Sequence, residues 1–469
     1  MIYFVTCVPK YLQVSQSNRE NFGSRTAVIF AMAGSAIGLG NIWRFPYMVG
    51  EHGGAAFVLL YVAATLLVSL PVFIAEVIIG RRSRCSSYGA LRKDRPDSKV
   101  WKFAAILTVI IPFIINSYYI VIGGWSLDFL FKSCTGEFVT SSPDAVGGLF
   151  GNFISSTWMP IVTLLLFLAT CAIVIALGVK SGIEKFSKIS IPVLFFLIVA
   201  MAVYSISLPG AMDGVRYLAK PDFSQLTARS FAYALGQSFY SLSLGMGAII
   251  TYGSYVKNDE NIVVSSLGTA ISDLLFAILA GFAIMPAVFA AGIEPGAGPG
   301  LIFQSIPFIF SSLGTELPVL STTMAIFFFL AVTVAAMTSC MSLFEVCVSF
   351  VMERFKWSRA RACIILFLFW AAMGILCSLS FGPLAGITVA GKNIFDLFDW
   401  FSSNIMLLTL AFLTVIFTGF VLKKEDIRRE LTNGGRLHIP DSLFNVFYFL
   451  TKWAAPVFIA VIFITNFIL

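Results

Sequence analysis

The chain reads as an all-α polytopic membrane protein, and three observations lead there. Hydrophobic residues make up 58% of the 469 and charged residues only 12%, with a mean hydropathy of +0.91. A soluble chain of this length would carry roughly 25% charged residues to cover its surface, so this surface faces lipid. Apolar runs of about 20 residues, enough to cross ~30 Å of hydrocarbon, recur eleven times, near 25–49, 54–80, 101–131, 156–178, 184–208, 228–256, 262–290, 315–352, 360–380, 394–421 and 444–468. Basic residues lie in the short segments between them. With the N-terminus inside, the inner segments hold 25 of the 31 Lys and Arg, the bias that orients membrane proteins. The densest inner loop is GRRSRCSSYGALRKDRPDSK and the next is KKEDIRRELTNGGR. The expected topology is multi-pass in the cell's inner (plasma) membrane, N-terminus cytoplasmic and C-terminus outside.

The net charge of +7 belongs to those loops and does not point to nucleic acid. Eight cysteines form no C-x-x-C pair, and of them only Cys134 falls in an outer segment, so no disulfide framework follows. Two histidines, His52 and His438, do not make a histidine-ligated metal centre. No H-E-x-x-H, G-x-S-x-G or paired catalytic carboxylates occur, which argues against an enzyme. The opening MIYFVTCVPKYLQVSQ has no basic start, long apolar stretch or cleavage site and does not read as a signal peptide. Residues 1–18 read as a cytoplasmic leader.

Spans one and six differ from the rest. They contain AMAGSAIGLGNIWRFPY and GQSFYSLSLGMGAIITY, with Gly and Ser clustered midway along each. A helix interior loses roughly 1 kcal/mol per Gly relative to Ala, so both are expected to be interrupted. They hold equivalent places in two five-helix halves, 19–208 and 228–421, followed by an eleventh helix at 444–469. An odd number of spans inserts the second half upside down, giving a 5+5 inverted repeat. Interrupted helices at matching places in such halves point to a transporter's binding site. Unwinding frees carbonyls for a cation and N–H groups for an anion, and the half-helix ends add partial charges. Gly34-x-x-x-Gly38 is also a helix-packing spacing; the matching stretch in span six, with Asn41 and Arg44 just beyond the first, favours the binding-site reading. Asp273 lies near the middle of span seven, where a carboxylate costs about 2.5–3.5 kcal/mol to insert and is functional by default.

Taken together, AMAGSAIGLGNIWRFPY, GQSFYSLSLGMGAIITYGSY and AAMTSCMSLFEV resemble the signature segments of the neurotransmitter:sodium symporter family. The likeness is to its eleven-helix bacterial amino-acid transporters and runs from about Arg19 to the C-terminus. It implies a leucine-transporter-like fold and two sodium ions held by oxygen ligands, as suits a hard cation. One site would use the carbonyls of Gly34, Ile37 and Ala335 and the hydroxyls of Thr338 and Ser339, which in an ordinary helix would bond to the preceding turn. The other would use the Ala36 carbonyl, Asn41, Ser241 and Asp273, with the substrate's carboxylate touching this ion.

The resemblance also implies a substrate site. The carboxylate would meet N–H groups near Leu39 and Gly40 and the Tyr119 hydroxyl, and the ammonium carbonyls near Ala36, Tyr240 and in span eight. Amine carriers of the family place an Asp where Gly38 stands; a Gly leaves room for the substrate's carboxylate. Ser35, Ile115, Tyr119, Tyr240, Ser243, Met246, Ser339 and Leu343 would line a side-chain pocket without charge, suited to a neutral, hydrophobic amino acid. Chloride-dependent members carry Asn at the place of Asp273 and hold chloride with residues matching Tyr61, Gln237 and Ser241, plus a Ser where this chain has Ala277. Chloride is therefore not expected here.

Gates follow from the same likeness. Arg44 should pair with Asp399 when the outer path closes, above a lid of Tyr119 and Tyr240. Inside, Arg19 should pair with Glu353, with Phe22 and Tyr255 sealing around them; Phe22, where the family often has Trp, implies a looser latch. GIEPGAGPGLIFQSIPF resembles an external hairpin that caps the vestibule. The expected partners are a neutral amino acid and the bilayer, with no nucleic acid and no obligatory protein. The implied activity is sodium-coupled uptake by alternating access; a proton-coupled carrier of the same fold, with Asp273 titrating, is the alternative.

Overall fold

A computed structural model describes residues 19–140, 143–292, 302–314 and 317–468; the expected leader at 1–18 lies outside them. The described residues form helices joined by short turns, with no strand beyond a single bridge between Val389 and Lys392. The first span is α1 (Arg25–Ala36) and α2 (Gly40–Glu51), bent by 55° at their break. Nine continuous helices are long and apolar enough to cross a bilayer among the described residues. They are α3 (Ala55–Ser83), α5 (Lys99–Cys134), α6 (Trp158–Ala176), α7 (Val179–Ser207), α10 (Ile262–Ala290), α11 (Pro318–Phe355), α12 (Arg359–Leu379), α13 (Ile394–Val421) and α15 (Asp441–Asn466). Two short helices cap inner-loop segments, α4 (Ser87–Lys93) and α14 (Lys424–Leu431).

The sixth span is the second broken one, α8 (Ala228–Ser241) and α9 (Ala248–Gly253). Neither half alone is long enough to cross. The two interruptions thus fall in spans one and six, as the Gly-Ser clusters imply. Lipid-facing Leu, Ile, Val and Phe remain exposed along α6, α7 and α15, whereas α5 and α11 pack together at the centre of the bundle.

Backbone geometry explains the second break. Ser243, Gly245 and Gly247 have φ of 55°, 71° and 74°, so every second residue of SLGMG is left-handed and no helix can run through. Gly245 and Gly247 adopt this freely. Ser243 does not, and its hydroxyl is tied to the Ser35 carbonyl at 2.8 Å, which holds the unfavourable conformation in place. The first break is milder: Ile37 turns extended (φ −72°, ψ 98°), and the chain resumes at Gly40 as a wide turn.

The ends of the bundle are named here by Arg19 and Arg44. At the Arg44 end, the Phe303 ring meets Trp43 at 6.5 Å and Trp125 at 5.9 Å; residues 293–301 of the expected hairpin lie outside the described ones. At the Arg19 end, α3 and α9 approach closely through paired glycines. A Cβ on Gly80 would run into the Ile250 carbonyl, and one on Gly253 would stand 2.9 Å from the Val77 oxygen. Gly80→Ala is expected to lose about 2 kcal/mol of stability or more through this overpacking. Gly151→Ala, inside a helix and with nothing within 4 Å, should lose nothing and gain up to about 1 kcal/mol. Thermal unfolding of the two purified variants against the parent checks the contrast.

Candidate functional site

The two breaks face each other and are stitched by side chains. The Ser35 carbonyl, freed at the end of α1, accepts from Ser243 Oγ (2.8 Å) and Ser339 Oγ (3.3 Å). Ser35 Oγ donates to Ser342 Oγ at 2.9 Å. The Gly40 carbonyl accepts from Gln237 Nε2 at 2.9 Å. Between the breaks lies a cavity of about 30 Å³, lined by fourteen residues with no charged side chain. All thirteen residues expected around a substrate line it: Ser35, Ala36, Gly38, Leu39, Gly40, Ile115, Tyr119, Tyr240, Ser241, Ser243, Met246, Ser339 and Leu343. Ser342 is the one the sequence reading missed.

Tyr119 accepts a long hydrogen bond from the Leu39 N–H, 3.5 Å, so its hydroxyl and that N–H already share one place. Gly38 is under a tighter constraint than charge alone: any Cβ there would collide with Ser339 Oγ. Gly40 has a similar role, since a Cβ would press on the Tyr240 ring at 3.1 Å.

On one side of the cavity sits a fully buried polar cluster. Asp273 accepts from Asn41 Nδ2 (2.8 Å), from Ser241 Oγ (2.8 Å to each carboxylate oxygen) and from the Tyr61 hydroxyl (3.2 Å). Ser241 also lies 3.2 Å from Asn41 Oδ1. No basic side chain pairs with this carboxylate among the described ion pairs. A carboxylate, an amide oxygen and a hydroxyl gathered without a cation form a hard, oxygen-rich donor set suited to a small cation. Among the described residues no group of three or more His, Cys, Asp or Glu is placed to hold a metal ion.

A second oxygen-rich place lies where α11 passes the first break. Thr338 Oγ1 reaches the Ala335 carbonyl (2.9 Å) and the Ile37 carbonyl (3.4 Å), and its Cβ stands 3.4 Å from where a Cβ on Gly34 would be. Gly34, Ile37, Ala335 and Thr338 are thus brought together. The Ser339 hydroxyl is bonded instead to Ser35, on the cavity side, because one residue's advance along a helix turns the side chain by about 100°.

The ends of the path differ. At the Arg44 end a cavity of about 330 Å³ reaches down to Tyr119 and Tyr240, which line both cavities and separate them. Arg44 stands over the Tyr240 ring at 5.0 Å and Asp399 accepts from Ser403; no ion pair joins Arg44 and Asp399. Asp396 also lines this cavity. At the Arg19 end the latch is made: Arg19 pairs with Glu353 at 3.4 Å, donates to Ser254 Oγ at 2.8 Å and covers the Tyr255 ring at 4.8 Å.

Phe22 is held by packing and by its backbone. Its ring is buried edge-on against Tyr252 (5.9 Å) and Tyr255 (6.0 Å), and its N–H bonds the Tyr255 carbonyl at 3.0 Å. Glu20 accepts from the Val179 N–H at 2.6 Å, and Glu184 from the Gly23 N–H at 2.8 Å. The smaller ring is offset by backbone fastening that a Trp is not needed for.

Two further buried carboxylates escaped the sequence reading. Glu76 in α3 accepts from the Gly245 N–H at 2.8 Å, in the middle of the second break, while its other oxygen has no partner. Glu345 in α11 takes the Tyr255 hydroxyl at 2.6 Å and a two-pronged Arg359 at 2.7 and 2.9 Å. For Glu76 the signal was present, as the one acid inside LLVSLPVFIAEVIIG, by the reasoning that singled out Asp273.

Comparison with known proteins agrees with this geometry. Residues 19–143 and 150–469 match the profile described as the Sodium:neurotransmitter symporter family. A Haemophilus influenzae protein called an uncharacterized sodium-dependent transporter is 35% identical over 465 residues, spanning 97% of this chain and 100% of its own. The Bacillus subtilis sodium-dependent transporter YhdH is 34% identical over 451 residues, spanning 96% and 98%. The crystal structure of MhsT in complex with L-phenylalanine aligns with a TM-score of 0.87 at 39% identity, covering 96% of this chain and 100% of that one.

The latch has a native reporter. Cys85 is buried beside Ser86, whose N–H bonds Glu353 at 2.6 Å, and among the described cysteines only Cys134 is exposed. In a Cys7→Ser, Cys134→Ser background, Glu353→Ala should speed maleimide labelling of Cys85 roughly tenfold, the population change for about 1.4 kcal/mol. An unchanged rate would mean that Glu353 does not hold this end shut.

Proposed function

The chain belongs to the sodium:neurotransmitter symporter family and is a multi-pass sodium-dependent transporter, and from that premise we propose that it imports a neutral, hydrophobic amino acid with sodium by alternating access. The observation that carries this reading is the cavity between the two breaks, with the Leu39 N–H and the Tyr119 hydroxyl at one pole and uncharged side chains around the rest. An α-carboxylate suits the Leu39 N–H and the Tyr119 hydroxyl. Ile115, Met246 and Leu343 suit an apolar side chain, and Met246 adapts to its shape. The amino acid bound by MhsT, L-phenylalanine, is of this class.

Sodium is cargo in this scheme. One ion would take Asp273, Asn41, Ser241 and the Ala36 carbonyl; the other Gly34, Ile37, Ala335 and Thr338, joined by Ser339 once its hydroxyl turns away from the Ser35 carbonyl. Two ions crossing about 100 mV supply about 4.6 kcal/mol at roughly 2.3 each, an accumulation of order 10³-fold. The open Arg44 end would face outside and the latched Arg19 end the cytoplasm, as the basic-residue bias implies. The cycle then runs by Arg44 and Asp399 meeting above the tyrosines, followed by release of the Arg19 latch. Sodium dependence of binding at fixed pH separates this reading from a proton-coupled carrier.

The test is a radiolabelled amino-acid panel with and without sodium. Apolar amino acids are expected to bind in sodium alone. Thr338→Ala with Ser339→Ala should shift the sodium titration to higher concentration by about tenfold or more, since two of five oxygens are lost. A wild-type titration in that variant would refute the assignment of the second ion site.

Charge balance gives a second test. Tyr61 and Ser241 donate to Asp273, Gln237 is turned to the Gly40 carbonyl, and Ala277 offers no hydroxyl. Two of the groups that would hold chloride, Tyr61 and Ser241, are thus engaged by a fixed carboxylate. Replacing chloride with gluconate should leave uptake intact. Asp273→Asn should abolish uptake or make it chloride-dependent, most readily with Ala277→Ser added; normal chloride-free uptake by Asp273→Asn would overturn the argument.

A further inference from the structure

A cavity of about 930 Å³ opens at the Arg19 end, between the end of α3, α14 and the segment that carries the latch. Seven of its lining side chains are basic and two are acidic. Some of that charge is spent locally. Arg81 pairs with Glu430 at 2.7 Å, Arg82 with Asp94 at 2.6 Å and Asp426 at 3.4 Å, and Arg19 with Glu353. The remainder is not. Arg84 reaches only neutral oxygens, Asn21 Oδ1 at 2.7 Å, Asn258 Oδ1 at 2.8 Å and the Ser254 carbonyl at 3.3 Å. Lys93 reaches two carbonyls. The Arg429 and Arg436 side chains have no hydrogen-bond or ion-pair partner among the described residues, and Arg19 Nη2 is buried without one. Burial, then the neighbouring Arg81, lower the pKa of Arg84, with Arg19 adding to the effect. The positive-inside bias explains basic residues at this end, but not their gathering on the walls of one cavity with donors unspent.

We infer that this cavity binds a phosphate-bearing anion, a lipid headgroup or a soluble polyphosphate, and that the bound anion clamps the latch shut. Planar guanidinium groups gathered on one cavity suit the several oxygens of a phosphate, which they can grip two at a time. The coupling follows from position. Arg19 and Asn21 belong to the latch, Arg84 ties Asn21 to the end of α3, and Arg429 and Arg436 lie on the opposite wall. An anion bridging these walls favours the conformer that holds them together, and by linkage the latched state binds it more tightly. The clamp rests on the transport reading; the binding does not.

The experiment uses the full chain in phosphatidylcholine nanodiscs, titrated with pyrophosphate by calorimetry, and in parallel nanodiscs containing phosphatidylglycerol. A soluble ligand predicts that pyrophosphate binds and raises the thermal midpoint. A lipid ligand predicts that phosphatidylglycerol raises it and blocks pyrophosphate. In either arm Arg429→Gln with Arg436→Gln should weaken the effect roughly tenfold while sodium-dependent amino-acid binding stays unchanged. Cys85 labelling should slow when the anion is bound. No response to either probe, or a double variant that responds like the parent, overturns the site. Binding without any change in Cys85 labelling overturns the clamp. A chain that binds pyrophosphate but no amino acid refutes the transport reading and leaves this one standing.

Discussion

Backbone polar groups released inside a bilayer must find partners in the protein, because lipid offers none. Two helix breaks at matching places release several at once, and much of the bundle is arranged to receive them. The Ser35 carbonyl is met from α11 and from the second break, the Gly40 carbonyl by Gln237 of α8, the Ile37 carbonyl by Thr338 of α11, and the Gly245 N–H by Glu76 of α3. The helices that supply these groups are therefore fixed beside the breaks by hydrogen bonding, with apolar packing filling in around them. The most weakly held of them, the Leu39 N–H at 3.5 Å from the Tyr119 hydroxyl, lies at the cavity.

Three carboxylates share this interior and are handled in different ways. Glu345 has a full counter-charge in Arg359, so its desolvation is offset by Coulomb attraction and two good hydrogen bonds. Glu76 has a single backbone N–H. Asp273 is surrounded by neutral donors from three spans. A charge held by dipoles alone is incompletely compensated, and a visiting cation would complete it. This is the physical sense in which Asp273 differs from a structural salt bridge.

Much of this was legible in the chain because lipid imposes a coarse code. Length and apolarity located the spans within a few residues, and the Gly-Ser clusters in AMAGSAIGLG and SLSLGMG located the breaks: left-handed backbone favours glycine at Gly245 and Gly247, and close neighbours leave no room for a Cβ at Gly38 and Gly40. The pattern could not say that Ser243, an L-residue, would itself be left-handed, because that depends on a hydroxyl bond to a residue two hundred positions away. Nor could it say that Ser339 faces the cavity while Thr338 faces Ile37, which is a matter of helix rotation. The fastening of the Arg19 latch could not be read from Phe22 alone. Its fastening through Glu20 and Glu184 joins segments distant in sequence, to backbone N–H groups that no side-chain pattern displays.

That fastening has a kinetic corollary on the transport reading. Opening the Arg19 end requires an ion pair, two carboxylate-to-backbone bonds and a buried ring to part together, whereas closing the Arg44 end asks only that two side chains already at the cavity wall approach. The two half-steps therefore have unlike activation enthalpies. The release step is the steeper function of temperature, and cooling the protein should leave it waiting with its outer mouth open.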